Sequence, residues 1–182
     1  MVTSFIIRPA FIIRPAGIHD QTLLWCWRND PVTRQMERIP GLIPREIYAH
    51  WLQRMLIDKN YSVMIAETDD NALAVCYVYC REKTSAEIGI CLNPVFRGQR
   101  LSLQLLEAFT AQAQTVMGFR KMRAEVKLIN LPSRRLFARA GYQIDATTKD
   151  VIHFSLNLCG QEAPRPRHED ADLAITTLPL GL

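Results

Sequence analysis

Several things are scarce in this 182-residue chain. No apolar run approaches the roughly 18 residues that a membrane-spanning helix needs. Cysteines number five, an odd count, and none of them forms a C-x-x-C pair, so neither a disulfide framework nor a zinc ribbon is indicated. No metal site is therefore expected, and the thiols suit a reduced compartment. The opening residues Met1 to Phe5 lack the basic start and apolar stretch of a secretory signal, which makes a cytoplasmic setting the expectation.

Charge of one sign is also in short supply. The net charge is +4, and Gly160 to Leu182 holds two Arg against four acidic residues, leaving about +6 on the remainder. That surplus is scattered rather than striped, which excludes a nucleic-acid surface and suits a phosphorylated small molecule. Hydrophobic residues make up 48% of the chain, enough for one domain with a sizeable core.

Phe5-Ile6-Ile7-Arg8-Pro9-Ala10 is repeated at once as Phe11-Ile12-Ile13-Arg14-Pro15-Ala16. A six-residue repeat preserves strand facing, so either copy could fill one strand. The second leads directly into Gly17 and the first helix, so the domain is expected to begin at residue 11, with 1–10 as an extension. Residues 160–182, rich in charge and proline without apolar periodicity, read as a flexible tail. Between these limits the pattern predicts a helix after Asp20 as N-cap, broken at Pro31. A second helix follows from Pro44 to about Asp58, with Ile47, Trp51, Met55 and Leu56 as its core face. Strands are expected over 61–66, 72–81 and 86–92, a long helix over 101–116, a strand over 122–128, a short helix over 132–140, and a closing strand or hairpin over 142–158. This order gives an α/β (α+β) sandwich around one mixed sheet.

The most informative stretch is Glu87 to Ser102, where an isoleucine-rich strand enters an Arg-Gly loop that opens a long helix. Unpaired backbone N–H groups at a helix start suit a pyrophosphate. Downstream come Asn130-Leu131-Pro132-Ser133 and Leu136-Phe137-Ala138-Arg139-Ala140-Gly141-Tyr142. Together these segments resemble the GNAT superfamily of N-acetyltransferases, over roughly residues 11–155. Its coenzyme loop, Q/R-x-x-G-x-G/A, corresponds to Arg97-Gly98-Gln99-Arg100-Leu101-Ser102. A narrower likeness, carried by Trp27-Arg28-Asn29-Asp30-Pro31, Arg34, Ala49-His50-Trp51 and Ala86-Glu87-Ile88, is to the branch that acetylates nucleotide-linked 4-amino sugars of the pseudaminic-acid type.

The resemblance implies a mixed central sheet whose middle strands splay apart, flanked by helices, with acetyl-CoA as co-substrate in the opening. Backbone groups of Ile90, Cys91 and Leu92 would hold the pantetheine like an added strand, with one N–H polarising the thioester carbonyl. Arg97, Gly98, Gln99, Arg100, Leu101 and Ser102 would take the pyrophosphate, and Asn130, Ser133 and Phe137 would border the coenzyme arm. Glu87 would serve as base for the attacking amine, with a surface ion pair to a nearby Arg as the competing reading. Arg28, Asn29, Arg34 and His50 would contact the acceptor, a sugar nucleotide, with surface or structural roles as the rival. Glu125 is expected in a structural ion pair.

Two departures stand out. Arg100 occupies a loop position usually held by Gly, and Phe137 stands where many relatives carry a Tyr that protonates the departing thiolate. Tyr77, Tyr79 and Tyr142 are the candidate replacements. An acetyl-enzyme on Cys91 is not required for direct transfer. Two other functions stay open from sequence: acetylation of a protein or peptide α-amine, and a non-catalytic acyl-CoA-binding module. A homodimer is likewise open.

Overall fold

The computed structural model describes residues 10–158. The extension before residue 10 and the tail after 158, including the first repeat copy and Cys159, lie outside the described residues. Seven strands form one sheet in the order β1-β2-β3-β4-β5-β7-β6. The elements are β1 (Ile12–Pro15), α1 (Gln21–Asn29), α2 (Pro31–Met36), α3 (Arg45–Ile57), β2 (Tyr61–Glu67), β3 (Ala72–Glu82), β4 (Ser85–Leu92), α4 (Ser102–Met117), β5 (Lys121–Lys127), α5 (Leu131–Arg139), β6 (Gln143–Thr147) and β7 (Val151–Asn157). β1 thus comes from the second repeat copy. No described helix is long and apolar enough to cross a membrane.

Strand alternation divides the core in two. Even-numbered residues of β3 and β4, such as Cys76, Val78, Ala86 and Ile88, pack with Leu105, Leu106 and Phe109 of α4 on one face. Odd-numbered Val63, Ile65 and Val75 pack with Leu24 and Trp27 of α1 and Tyr48 and Leu52 of α3 on the other. All pairings are antiparallel except β4 with β5, and that parallel pairing spans only Ser85↔Lys121, Ala86↔Met122 and Glu87↔Arg123. Beyond Glu87 the two central strands part, while β4 stays bonded to β3 out to Leu92.

Three local readings need correction. Asp20 does not cap α1: its carboxylate accepts from Arg14 at 2.8 Å and from the Gly17 N–H at 2.8 Å, stitching β1 to the following turn. Pro31 does not merely end a helix. It begins α2, for which Asp30 is the N-cap, accepting from the Thr33 N–H at 2.9 Å. In α3 the buried face is Tyr48, Leu52 and Met55, and Ile47 is exposed. His50, two residues and about 200° round the helix from Tyr48, consequently points away from the core.

Candidate active site

The parting of β4 from β5 opens a cavity of about 660 Å³. Glu87 sits at its closed end, where the last pair of the parallel ladder forms. It is buried, and its carboxylate meets the Arg81 Nε at 3.1 Å. Glu87 thus has an arginine partner and also faces the cavity. Further along β4, Ile90, Cys91 and Leu92 line the wall. Among the described residues, their outward backbone groups have no strand partner on the β5 side, because the β4–β5 register stops at Glu87.

The far mouth of the cavity belongs to the loop before α4. Gly98 has φ +78°, with open space where a Cβ would stand, and it lines the wall together with Ser102. Arg100 also adopts a left-handed backbone, at φ +62°. That conformation explains why relatives favour Gly at this position, since a side chain there costs about 1–2 kcal/mol. The Gln99 side chain donates to the Val95 carbonyl at 3.2 Å, Arg100 is exposed, and Leu101 packs on the core, so these three do not form the wall itself. Asn130 caps α5 by accepting from the Ser133 N–H at 3.1 Å, and Asn130, Ser133 and Phe137 all border the cavity.

Sequence reasoning missed how the cavity wall around α2 is assembled. Arg97 Nη1 is 2.7 Å from the Asp30 carboxylate, and its Nη2 donates to Thr33 Oγ1 at 2.6 Å, which ties the coenzyme loop to α2. Lys127 Nζ donates to the Gln35 carbonyl at 3.0 Å, and Arg38 pairs with Glu125. α2 and the residues just after it are thereby bolted across the splay. Arg28 and Glu37 line this part of the cavity, as do Tyr48 and Tyr77, whose hydroxyls lie 3.0 Å apart. Glu37 had no motif to announce it; only the crossing of α2 over the splay brings it to the wall.

Asn29, Arg34 and His50, expected to contact the acceptor, do not line the cavity. Asn29 spends both ends of its amide on Ile43, donating from Nδ2 at 3.0 Å and accepting on Oδ1 at 2.9 Å. Arg34 donates to the carbonyls of Asn29 at 3.2 Å and Pro40 at 3.4 Å. Both shape the 37–44 segment that frames the acceptor side, while His50 stands exposed on α3.

The tyrosine candidates separate just as plainly. Tyr142 is buried and its hydroxyl turns to Thr110 at 3.3 Å, while Tyr79 stacks on Tyr61 with centroids 4.5 Å apart. Only Tyr77 reaches the cavity, and burial pushes its phenol well above the ordinary tyrosine range, making it a hydrogen-bond donor and a weak acid. Phe137 is buried edge-on against Tyr142, with centroids 5.0 Å apart, so its ring is a packing element with one side on the cavity. Burial also lifts the Cys91 thiol to about 11, which keeps it protonated at neutral pH. Glu125 forms the expected ion pair with Arg38, but it also faces the cavity. Among the described residues, no group of three or more His, Cys, Asp or Glu is placed to hold a metal ion.

Comparison with known proteins agrees with this geometry. Residues 10–143 match the family model of the acetyltransferase (GNAT) domain, and the chain belongs to that family. It is an N-acetyltransferase with acetyl-CoA as co-substrate. Among curated proteins, none matches the chain by sequence. Solved structures of the same fold include the spermidine N-acetyltransferase of Vibrio cholerae in complex with CoA and spermine. It has a TM-score of 0.75 and 14% identity, covering 81% of this chain and 95% of that one. The N-acetyltransferase PseH of Campylobacter jejuni in complex with acetyl coenzyme A gives a TM-score of 0.66 at 15% identity, covering 82% of this chain and all of that one. An aminoglycoside acetyltransferase in complex with coenzyme A gives 0.69 at 16%, covering 81% and 95%. At these identities the likeness is one of fold.

Proposed function

We propose that the protein acetylates the primary amine of a nucleotide-linked amino sugar, by direct attack of the amine on acetyl-CoA. Acetyl-CoA supplies the activated acetyl group. The splayed half of β4, from Ile88 to Leu92, offers its free backbone groups to the extended arm, and the 97–102 loop with the start of α4 receives the phosphates. Asn130 and Ser133 border that arm from the β5 side, and the Phe137 ring excludes water beside it.

An alkylammonium must lose a proton before it can attack. Glu87, at the closed end of the splay, takes that proton directly or through one water, with Arg81 orienting its carboxylate. No proton donor stands at Phe137. A thiol has a pKa of only about 8.5, so the thiolate leaves tolerably well and solvent can protonate it. Cys91, held as a thiol, takes no covalent part.

The observation that carries this reading is the end of the β4–β5 ladder at Glu87, which leaves a carboxylate and a row of free backbone groups on one cavity. The likeness of Trp27 to Pro31 and of Ala86 to Ile88 to the sugar-nucleotide branch supports the acceptor class, as does a wall that includes Arg28, Arg38, Arg97 and Lys127. Because α2 is bolted across the splay by Lys127 and Arg38, a small acceptor is favoured over a peptide, which needs an open groove. The test is CoA release with a nucleoside-diphosphate 4-amino sugar and with an N-terminal peptide. Saturable release with the sugar and none with the peptide is expected. The reverse pattern would assign the protein to peptide acetylation.

A further inference from the structure

Most charges on the cavity wall are already spent. Arg97 holds Asp30, Arg38 holds Glu125, Arg81 holds Glu87, and Lys127 donates to the Gln35 carbonyl. Of the wall charges without an ion pair among the described residues, Lys127 is held by that carbonyl and two opposite ones remain.

The first is Arg28, which is 6% exposed and lines the cavity. Its Nη2 donates to the Ile39 carbonyl at 3.0 Å, but Nε and Nη1 have no partner. A guanidinium so buried is costly unless its remaining donors find an acceptor. The second is Glu37, at the C-terminal end of α2, which lines the same cavity. Among the described residues it makes no ion pair and no side-chain hydrogen bond. Burial lifts its carboxyl above the ordinary glutamate range, and the charges of Arg28 and then Lys127 draw it partly back. Arg28 and Glu37 thus line one cavity without being in ion-pair contact.

We propose that Arg28 and Glu37 form one subsite that reads a zwitterion: Arg28 receives an oxyanion group of the acceptor, and Glu37 holds the ammonium form of its amine. The inference rests on the acetyl-transfer reading and narrows its substrate class. A good acceptor is a small molecule that carries both a primary amine and a phosphate or carboxylate. Polyamines and neutral amino sugars lack the group that Arg28 requires, and a second cation would meet Arg28 unfavourably. Both residues are specificity determinants. The proton transfer itself stays with Glu87.

The test is kcat/KM from CoA release for four acceptors on the full-length protein. Glucosamine 6-phosphate and alanine carry an oxyanion, whereas glucosamine and spermidine do not. At least one of the first pair is expected to exceed both of the second by about tenfold or more. Preference for glucosamine 6-phosphate assigns the oxyanion to a phosphate, and preference for alanine assigns it to a carboxylate. Arg28→Gln should erase most of the advantage and Glu37→Gln should lower kcat/KM for the favoured acceptor, while calorimetric acetyl-CoA affinity stays unchanged in both. If Arg28→Gln fails to fold, Arg28→Lys should raise KM for the oxyanion-bearing acceptor with kcat retained, and an unchanged KM would overturn the proposal.

Equal turnover of all four, a preference for spermidine, or discrimination that survives Arg28→Gln would overturn the zwitterion subsite and leave acetyl transfer standing. Bound acetyl-CoA with no turnover of any amine, the nucleotide-linked sugar included, would overturn both.

Discussion

Two segments border the cavity, and they are built by opposite means. The loop from Arg97 to Ser102 is made of backbone. Two consecutive-but-one residues, Gly98 and Arg100, turn left-handed, and a 16-residue helix starts immediately after. The segment from Arg28 to Arg38 is made of side chains reaching across the chain: Asn29 to Ile43, Arg97 to Asp30, Lys127 to Gln35, and Arg38 to Glu125. Backbone recognition suits a part that every relative shares, the phosphates and extended arm of one coenzyme. Side-chain recognition suits the part that differs, the acceptor. The coenzyme side should therefore tolerate changes on the acceptor side, and the reverse should hold.

The sharpest way to break this division is Glu87→Gln. If Glu87 is the base and makes no contribution to holding the coenzyme, kcat should fall by about 10²–10⁴-fold while acetyl-CoA affinity, measured by calorimetry, stays where it was. A parallel loss of affinity would show that the two sides are not separable at the closed end of the splay.

Asn29→Ala comes next. It removes both hydrogen bonds that hold Ile43 and leaves two backbone groups without their partner, at a cost of about 2 kcal/mol. The melting temperature should drop by roughly 4–8 °C, and KM for the amine should rise with coenzyme affinity unchanged. A rise confined to acetyl-CoA KM would contradict the assignment of this segment to the acceptor.

The Asp30–Arg97 pair links the two segments, and pH probes it. Burial alone would raise the Asp30 carboxyl, but the Thr33 N–H and the Arg97 guanidinium outweigh it and hold the group below the ordinary aspartate range. A depressed folded-state value means stability that is present above the unfolded value, about 3.9, and is lost as pH falls through the folded one. Chemical-denaturation midpoints should accordingly decline below about pH 4. Asp30→Asn should flatten part of that decline, and an identical acid slope in the variant would remove Asp30 from the pH dependence.

Smaller still is Arg100→Gly. It relieves the left-handed backbone but frees the unfolded chain, for a net gain of about 0.5–1 kcal/mol. A gain in thermal midpoint with unchanged or improved coenzyme affinity is expected, whereas destabilisation would mean that the arginine side chain supports the loop. Cys91→Ala should leave kcat essentially unaltered, since its thiol stays protonated. A collapse of kcat without loss of folding would revive a covalent route.

The same contrast explains what could be read from the residues alone. The elements proposed to hold the coenzyme were legible because their signals are local: a strand, an Arg-Gly loop, a helix start, and an Asn cap before Leu131-Pro132. The order of elements followed from periodicity for the same reason, with α2 the helix that escaped, six residues long and hidden behind a proline. The acceptor side was legible only as a region. Arg28 was singled out and does line the cavity, but its neighbours Asn29 and Arg34, equally polar and equally well spaced, turn to backbone carbonyls of the 39–43 stretch. Nothing local separates these outcomes, because they depend on where residues 37–44 return. Glu37 carries no local signal for that reason, and nothing local shows that His50 stands exposed on α3. By sequence Tyr142 looks as able as Tyr77 to reach the site, but its position between α5 and β6 sets the hydroxyl against Thr110.

The most direct measurement is a calorimetric titration of acetyl-CoA into the purified wild-type protein. Saturable one-to-one binding in the micromolar range is the expected result, and it should persist in Glu87→Gln and Arg28→Gln. No heat of binding in a folded wild-type protein would contradict the assignment of the β4–β5 opening and the 97–102 loop to the coenzyme.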